Sequence, residues 1–309
     1  MEKDFAILVV AYKRPQALDK LLSKIALAGS FRVYIALDAP NSSSDSDLNA
    51  DCVSVISKFE QDYSGQVHRK FTSKNLGCAV SVIKACNWVF EYEEFVVILE
   101  DDCHPENGFF DFVRDSRTVI ENDRRVLMVC GTQFAPTEIT NNVWSYSKYP
   151  LIWGWATTKP AWLTIEKLLK SENLYKSRNT TWRTSDYFFW RAGARRSHEG
   201  FVDAWDTPLV FQMQNSNYMA LLPGQNLVSN IGDDAAATHT DQPSPWLHFG
   251  ISTYLPSCEK PLVNNQIDFW LRTNFYNISW RHIFTTRITA LLDCLNIHKR
   301  KRTRLLERL

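Results

Sequence analysis

The chain has 309 residues, enough for one large domain or two smaller ones with real cores. Hydrophobic residues make up 45% and charged residues 22%, and the formal net charge of +1 leaves no bulk field that calls for nucleic acid. The seven cysteines show no CxxC spacing, which argues against a zinc site or a disulfide framework and for reduced thiols in a cytoplasmic protein.

Met1-Glu2-Lys3-Asp4 runs straight into an apolar stretch without the charged-then-apolar layout of a secretory signal. Phe5 to Val10 (FAILVV) predicts a buried strand. Pro15 suits the first turn of a helix, and Leu18, Leu21, Leu22 and Ile25 recur at helical spacing up to Gly29-Ser30. Val33 to Leu37 predicts a second strand ending in Asp38. A polar loop is expected over Asn41 to Asp47, then a helix over Leu48 to Asp62 and a short strand over Val67 to Phe71. Asn75-Leu76-Gly77 opens a helix with Ala79, Val82, Ile83, Cys86, Val89 and Phe90 on one face. Its N-terminus is a candidate seat for a diphosphate, with a plain N-cap role for Asn75 as the other reading.

The next stretch, Phe95-Val96-Val97-Ile98-Leu99-Glu100-Asp101-Asp102, organises the chain. An all-apolar run predicts a strand buried on both faces of a parallel sheet, and such strands place ligand sites at their carboxyl ends. Consecutive carboxylates there repel one another unless a cation sits among them. Hard oxygen ligands suit Mg²⁺ or Mn²⁺, and such a metal commonly also holds substrate phosphates. The other reading is a solvated acidic turn. A helix around Gly108 to Glu121 and a strand from Val126 to Cys130 complete a strand–helix alternation expected of an α/β fold. No GxGxxG and no GxxxxGK[ST] occurs, so a nicotinamide dehydrogenase or a P-loop kinase is not indicated.

From Thr132 the texture changes. Trp144 to Trp162 is aromatic and predicted as loop, and Lys167 to Arg196 is polar and basic. Phe201 to Pro208 leads into an amphipathic run through Met213. Short strands are expected at Leu221-Leu222 and Leu227-Val228, and a small-residue loop from Gly232 to Pro245 is a candidate lid. Ile278 to Leu309 alternates apolar and basic residues and ends in Lys299-Arg300-Lys301-Arg302. That pattern fits either an anionic membrane surface or a helix packed on the domain with a solvated tail. The expected division is 1–131, 132–265 and 266–309.

With these motifs in order, the chain resembles the GT-A fold glycosyltransferases. The N-acetylglucosaminyltransferase I type, with the protein O-mannose acetylglucosaminyltransferase and bacterial relatives, is the nearest resemblance. It covers roughly residues 5 to 240 and rests on VVAYKRPQALDKLLSKI, VYIALD, the Glu-Asp-Asp run, Pro105 to Phe110, Gly154-Trp155 and Trp205-Asp206. The eukaryotic members carry a membrane anchor and luminal disulfides that this sequence lacks.

The resemblance implies a Rossmann-like fold with a mostly parallel central sheet, here followed by a C-terminal helical extension. It also implies transfer of a sugar from a nucleoside-diphosphate donor, UDP-linked by analogy, to a glycan or lipid-linked acceptor. Arg14 would contact the donor, Asp38 its uracil and Asp101 its ribose, with Glu100 and Asn75 alongside. Asp102 would touch Mn²⁺ or Mg²⁺. Asp206 would be the general base, or only the cap of a helix starting at Pro208. His239 would be a second metal ligand or polar surface. Trp153, Trp155 and Trp205 are candidate acceptor-stacking residues or core. Arg195-Arg196 would clamp phosphate or be a solvated loop. Competing expectations are a sugar-nucleotide nucleotidyltransferase, disfavoured because Ala11 to Pro15 holds no glycine, and a non-catalytic nucleotide- or sugar-binding module.

Overall fold

The computed structural model describes residues 5–171, 183–232, 261–279, 283–285 and 288. Its centre is a mixed, mostly parallel sheet with nine strands among the described residues. Strand β1 (Ala6–Ala11) is buried at every position, as the apolar run FAILVV requires. Pro15 then starts helix α1 (Pro15–Ala28), which buries Leu18, Leu21, Leu22 and Ile25, its heptad-like stripe, against the sheet. Strand β2 (Arg32–Leu37) pairs parallel to β1, and β3 (Gln66–Phe71) pairs parallel to β2.

Helix α2 (Ser43–Asp62) lies between them and begins five residues before the expected start at Leu48. The Ser-rich run is its first turn. Asp45 there complements the helix dipole and also accepts hydrogen bonds from the Tyr12 hydroxyl at 2.9 Å and the Lys13 ammonium at 2.9 Å. Helix α3 (Cys78–Val89) follows, and the chain then crosses back to β4 (Phe95–Glu100) on the other side of β1. That reversal makes the β1/β4 junction a topological switch point, where open α/β sheets form their ligand crevices.

A short strand β5 (Cys103–Pro105) leaves the main sheet, followed by helix α4 (Asn107–Asn122) and strand β6 (Val126–Cys130). A single helical turn α5 (Thr137–Thr140) and strand β7 (Ser145–Ser147) come next. The aromatic segment expected as loop contributes β8 (Trp155–Thr158), which runs antiparallel between β4 and β6. Period-2 patterning hides this strand, because a fully buried central strand has no polar face to alternate with. Helix α6 (Lys159–Leu169) is capped by the Thr158 hydroxyl.

Part of the basic stretch forms helix α7 (Thr184–His198), which buries Tyr187, Trp190 and Ala194 together with Asp186, an acid paired with Arg272. Helix α8 (Asp206–Asn215), strand β9 (Met219–Leu222) and strand β10 (Val228–Asn230) follow, with β10 antiparallel to β5. Strand β11 (Leu262–Val263), helix α9 (Asn265–Trp270) and a π-helical turn (Leu271–Phe275) close the described fold. The sheet order is β11-β7-β9-β6-β8-β4-β1-β2-β3, so strands from both sides of residue 131 share one sheet.

Among the described residues no helix is long and apolar enough to cross a membrane. Cys52, Cys78, Cys86, Cys103 and Cys130 are free thiols. Of the expected basic tail, Ile278 and Ile283 are buried while Phe284 and Ile288 are exposed. Lys299 to Arg302 lie outside the described residues.

Candidate functional site

Strand register assembles the site. Ala11 pairs with Leu37, and Val10 with Glu100, so β1, β2 and β4 end level with one another. The next residues, Tyr12, Asp38 and Asp101, therefore emerge side by side at one sheet edge. They line a cleft of about 270 Å³ together with Arg14, Glu100 and Asn75.

Asp101 is 6% exposed and accepts a hydrogen bond from the Tyr12 backbone N–H at 3.0 Å. Arg14 Nη1 lies 3.6 Å from Asp101 Oδ1 and is ion-paired directly with Asp102 Oδ2. Its Nη2 donates to the Gly232 carbonyl at 3.4 Å. The charge problem posed by three adjacent acids is thus met within the chain by a guanidinium that touches two of them.

Glu100 is the third acid. Burial pushes its carboxyl up to about 8, with Asp102, Asp101 and Asp206 adding like-charge repulsion and Arg14 opposing it. Asp206 is therefore near enough for its charge to be felt at this acidic centre. It stands in the first turn of α8 and is half-buried, so the helix begins two residues before Pro208, with Trp205 rather than Asp206 at the cap. The Cys78 thiol reports the same cluster. Burial pushes it up most, then the fields of Glu100, Asp203, Asp206 and Asp102 in turn.

Asp102 is oriented by residues that no local motif reveals. Strand β10 ends at Asn230, whose Nδ2 donates to Asp102 Oδ1 at 3.1 Å. Asn230 Oδ1 in turn accepts the Gly232 N–H at 2.7 Å. A methyl group on Gly232 would lie 2.5 Å from Asp102 Oδ2 and 2.8 Å from Asn230 Oδ1. Only glycine lets the chain pass this close to the carboxylate. The β5/β10 pairing sets this up, since Asn230 is registered on Cys103, the residue after Asp102.

The donor set is hard oxygen at one sheet edge, which suits Mg²⁺ or Mn²⁺. Among the described residues, however, no three His, Cys, Asp or Glu side chains converge as a ready metal cage. The arrangement fits a cation held through Asp102 whose remaining shell comes from substrate phosphates and water, the usual way Mg²⁺ is bound. His239, Asp233 and Asp234, and all of the expected lid except Gly232, lie outside the described residues.

Other expectations are corrected. Asp38 is 4% exposed and is occupied by the chain's own donors. It accepts from the Thr72 hydroxyl at 2.7 Å, the Asn75 carboxamide at 3.2 Å and the backbone N–H groups of Ala39, Leu76 and Gly77. A carboxylate offers about four lone-pair sites, so Asp38 organises the Thr72–Gly77 loop and has none left for a base. Asn75 Nδ2 is committed to Asp38 and to the Ala39 carbonyl at 2.8 Å, which turns its carboxamide into a fixed wall of the cleft.

Trp155 and Trp205 are each 1% exposed, their rings 5.5 Å apart, so both are core and offer no face to an acceptor. Trp153 is half-buried at the edge of Phe134. Arg195 sits in the last turn of α7, paired with Glu199 at 2.7 Å, and Arg196 follows it there, so the pair is no loop.

The first turn of α3 also differs from expectation. Its Cys78 and Ala79 N–H groups donate to Asp203 at 2.9 and 3.2 Å. With Leu76 and Gly77 held by Asp38, these backbone donors face carboxylates of the chain itself rather than an open anion seat.

No family model matches the sequence, and no curated protein matches it. Among solved structures, the fold is similar to a UDP-glucose pyrophosphorylase complexed with UDP-glucose, at 6% identity and a TM-score of 0.35, covering 72% of this chain and 90% of that one. It is also similar to the inositol-1-phosphate CTP transferase from T. maritima, at 10% identity and a TM-score of 0.39, covering 82% of this chain and all of that one. Likenesses this distant leave the function to be argued from the site itself.

Proposed function

We propose that this chain is a metal-dependent, inverting glycosyltransferase. It takes a sugar from a nucleoside-diphosphate donor, with UDP the first base to test, and passes it to a hydroxyl of a glycan or lipid-linked acceptor. The observation that carries this reading is the grouping of Arg14, Asp101 and Asp102 at the β1/β4 switch point, with the charge of Asp206, in the first turn of α8, felt at the same centre.

Each residue has a task that follows from its chemistry. The cleft beside Tyr12 and Asn75 holds the nucleoside. Arg14, planar and always charged, transfers its hydrogen bonds from the carboxylates to the diphosphate. Asp102, fixed by Asn230, would hold a divalent cation, with Asp101 beside it. When bound, Mg²⁺ or Mn²⁺ would neutralise charge on the departing diphosphate. Asp206 accepts the proton of the acceptor hydroxyl as its oxygen bonds to the anomeric carbon. The bond from that carbon to the diphosphate oxygen breaks, and the nucleoside diphosphate leaves with the electron pair. Attack opposite the leaving group inverts the anomeric carbon.

Nucleotidyl transfer, the type of reaction named for one of the similar solved structures, is the reading to separate from this one. Purified protein with Mn²⁺ is incubated with a panel of nucleoside-diphosphate sugars, and in parallel with nucleoside triphosphates plus sugar 1-phosphates. Glycosyl transfer predicts release of nucleoside diphosphate from the first set, lost in Asp206→Asn. Release of pyrophosphate from the second set alone would replace this reading with nucleotidyl transfer.

A further inference from the structure

The loop that leads into α8 and Asp206 is held at two points. Trp205 is sunk into the core against Trp155. Two residues earlier, Asp203 reaches across to α3, where its Oδ2 and Oδ1 take the N–H groups of Cys78 and Ala79. Helix α3 has Gly77 at its cap position and so no capping side chain of its own. A cap normally comes from the residue that opens the helix. Here it comes from a partner more than a hundred positions away in the sequence, on the loop that leads into α8. Asp203 also lines the nucleoside cleft.

We propose that Asp203 is a positioning residue that couples the donor-binding edge to the base: by capping α3 it fixes the 201–205 loop and so the start of α8, where Asp206 stands. The inference rests on the glycosyl-transfer reading for what Asp206 does, but not for the tie itself. A cap that served α3 alone would be supplied locally at Gly77. Supplying it from the loop makes the position of Asp206 depend on the end of α3, the helix that walls the cleft. An ångström of misplacement in such a group costs roughly a hundredfold in rate.

The test uses the full chain with Asp203→Ala and Asp203→Asn. Asparagine keeps a carbonyl oxygen that accepts from a helix amide, whereas alanine keeps none. Amide hydrogen exchange reads the tie without turnover. Asp203→Ala is expected to speed exchange at Cys78 and Ala79 and across 201–206, and Asp203→Asn to restore most of the protection. Unchanged exchange in Asp203→Ala overturns the proposal, whatever reaction the protein catalyses.

In the transfer assay, Asp203→Ala is expected to lower kcat by roughly 10- to 100-fold. Its calorimetric affinity for nucleoside diphosphate with Mn²⁺ should stay within about twofold, with kcat recovered in Asp203→Asn. Equal losses in affinity and kcat would make Asp203 a donor ligand and overturn the positioning role, as would an unchanged kcat. A wild-type protein that releases no nucleoside diphosphate defeats the transfer reading instead, and exchange then decides the tie on its own.

Discussion

At the scale of single residues, the site is governed by how carboxylates are matched to donors. Asp102 takes Arg14 on one oxygen and Asn230 on the other, and Gly232 is the residue that leaves it room. Gly232→Ala is expected to displace Asp102 or Asn230. The overpacking should cost about 1–3 kcal/mol of stability, and metal-dependent nucleotide binding should be lost well before the fold. Comparison of melting temperature with calorimetric affinity checks this.

Glu100 gives a pH prediction. Its folded-state carboxyl titrates at about 8 against an ordinary 4.5, because burial and then Asp102, Asp101 and Asp206 disfavour its charge. Between those values the folded protein keeps a proton that the unfolded chain has lost. Stability therefore falls as pH rises from about 5 to about 8. Urea unfolding across that range should show the decline, and Glu100→Gln, which cannot titrate, should flatten it. The same slope in both proteins would contradict the assignment. The acidic run itself was legible in the sequence, as was the turn that brings Arg14 beside it. Asn230 and Asp203 were not, because their partners lie more than a hundred positions away and no periodicity records them.

At the scale of elements, the parallel strands β1, β2 and β4 and the helices between them followed from uninterrupted apolar runs and helical spacing. Strand β8 did not, since its aromatic and small residues read as loop until it is seen wedged between β4 and β6. Trp155 opens that strand and is sealed by Trp162 and Trp205. Trp155→Ala should cost about 3–5 kcal/mol, the range for deleting a large buried ring, whereas half-buried Trp153→Ala should cost distinctly less. Urea midpoints at constant m-value measure both. Equal costs would contradict the core placement of Trp155.

Gly154, at φ +67° with Val228 Cγ2 2.9 Å from where a Cβ would stand, sets the entry into β8. Gly154-Trp155 is therefore a backbone turn leading into a buried ring rather than a sugar platform. The π-helical turn is tied to α7 by Arg272, whose guanidinium pairs with Asp186 at 2.8 Å.

At the scale of the whole molecule, one sheet carries both the strands that edge the cleft and strand β8, whose Trp155 packs on Trp205, the neighbour of Asp206, so both parts of the proposed site share one base. Of the C-terminal region from Ile278 on, only residues 278, 279, 283–285 and 288 are described. Ile278 and Ile283 are core, whereas Phe284 and Ile288 are exposed one helical turn apart. A truncation that removes residues 289–309 is expected to abolish binding to vesicles rich in anionic lipid if the basic tail is a membrane contact. Undiminished vesicle binding would rule out the basic tail as a membrane contact.

The proposed metal–diphosphate site stands or falls with Asp102. Its most direct test is isothermal titration of UDP, and then of other nucleoside diphosphates, into wild-type and Asp102→Ala protein with and without Mn²⁺. The account predicts a nucleotide that binds wild type only with the metal and does not bind Asp102→Ala under either condition. Equal, metal-independent binding by both proteins would contradict it.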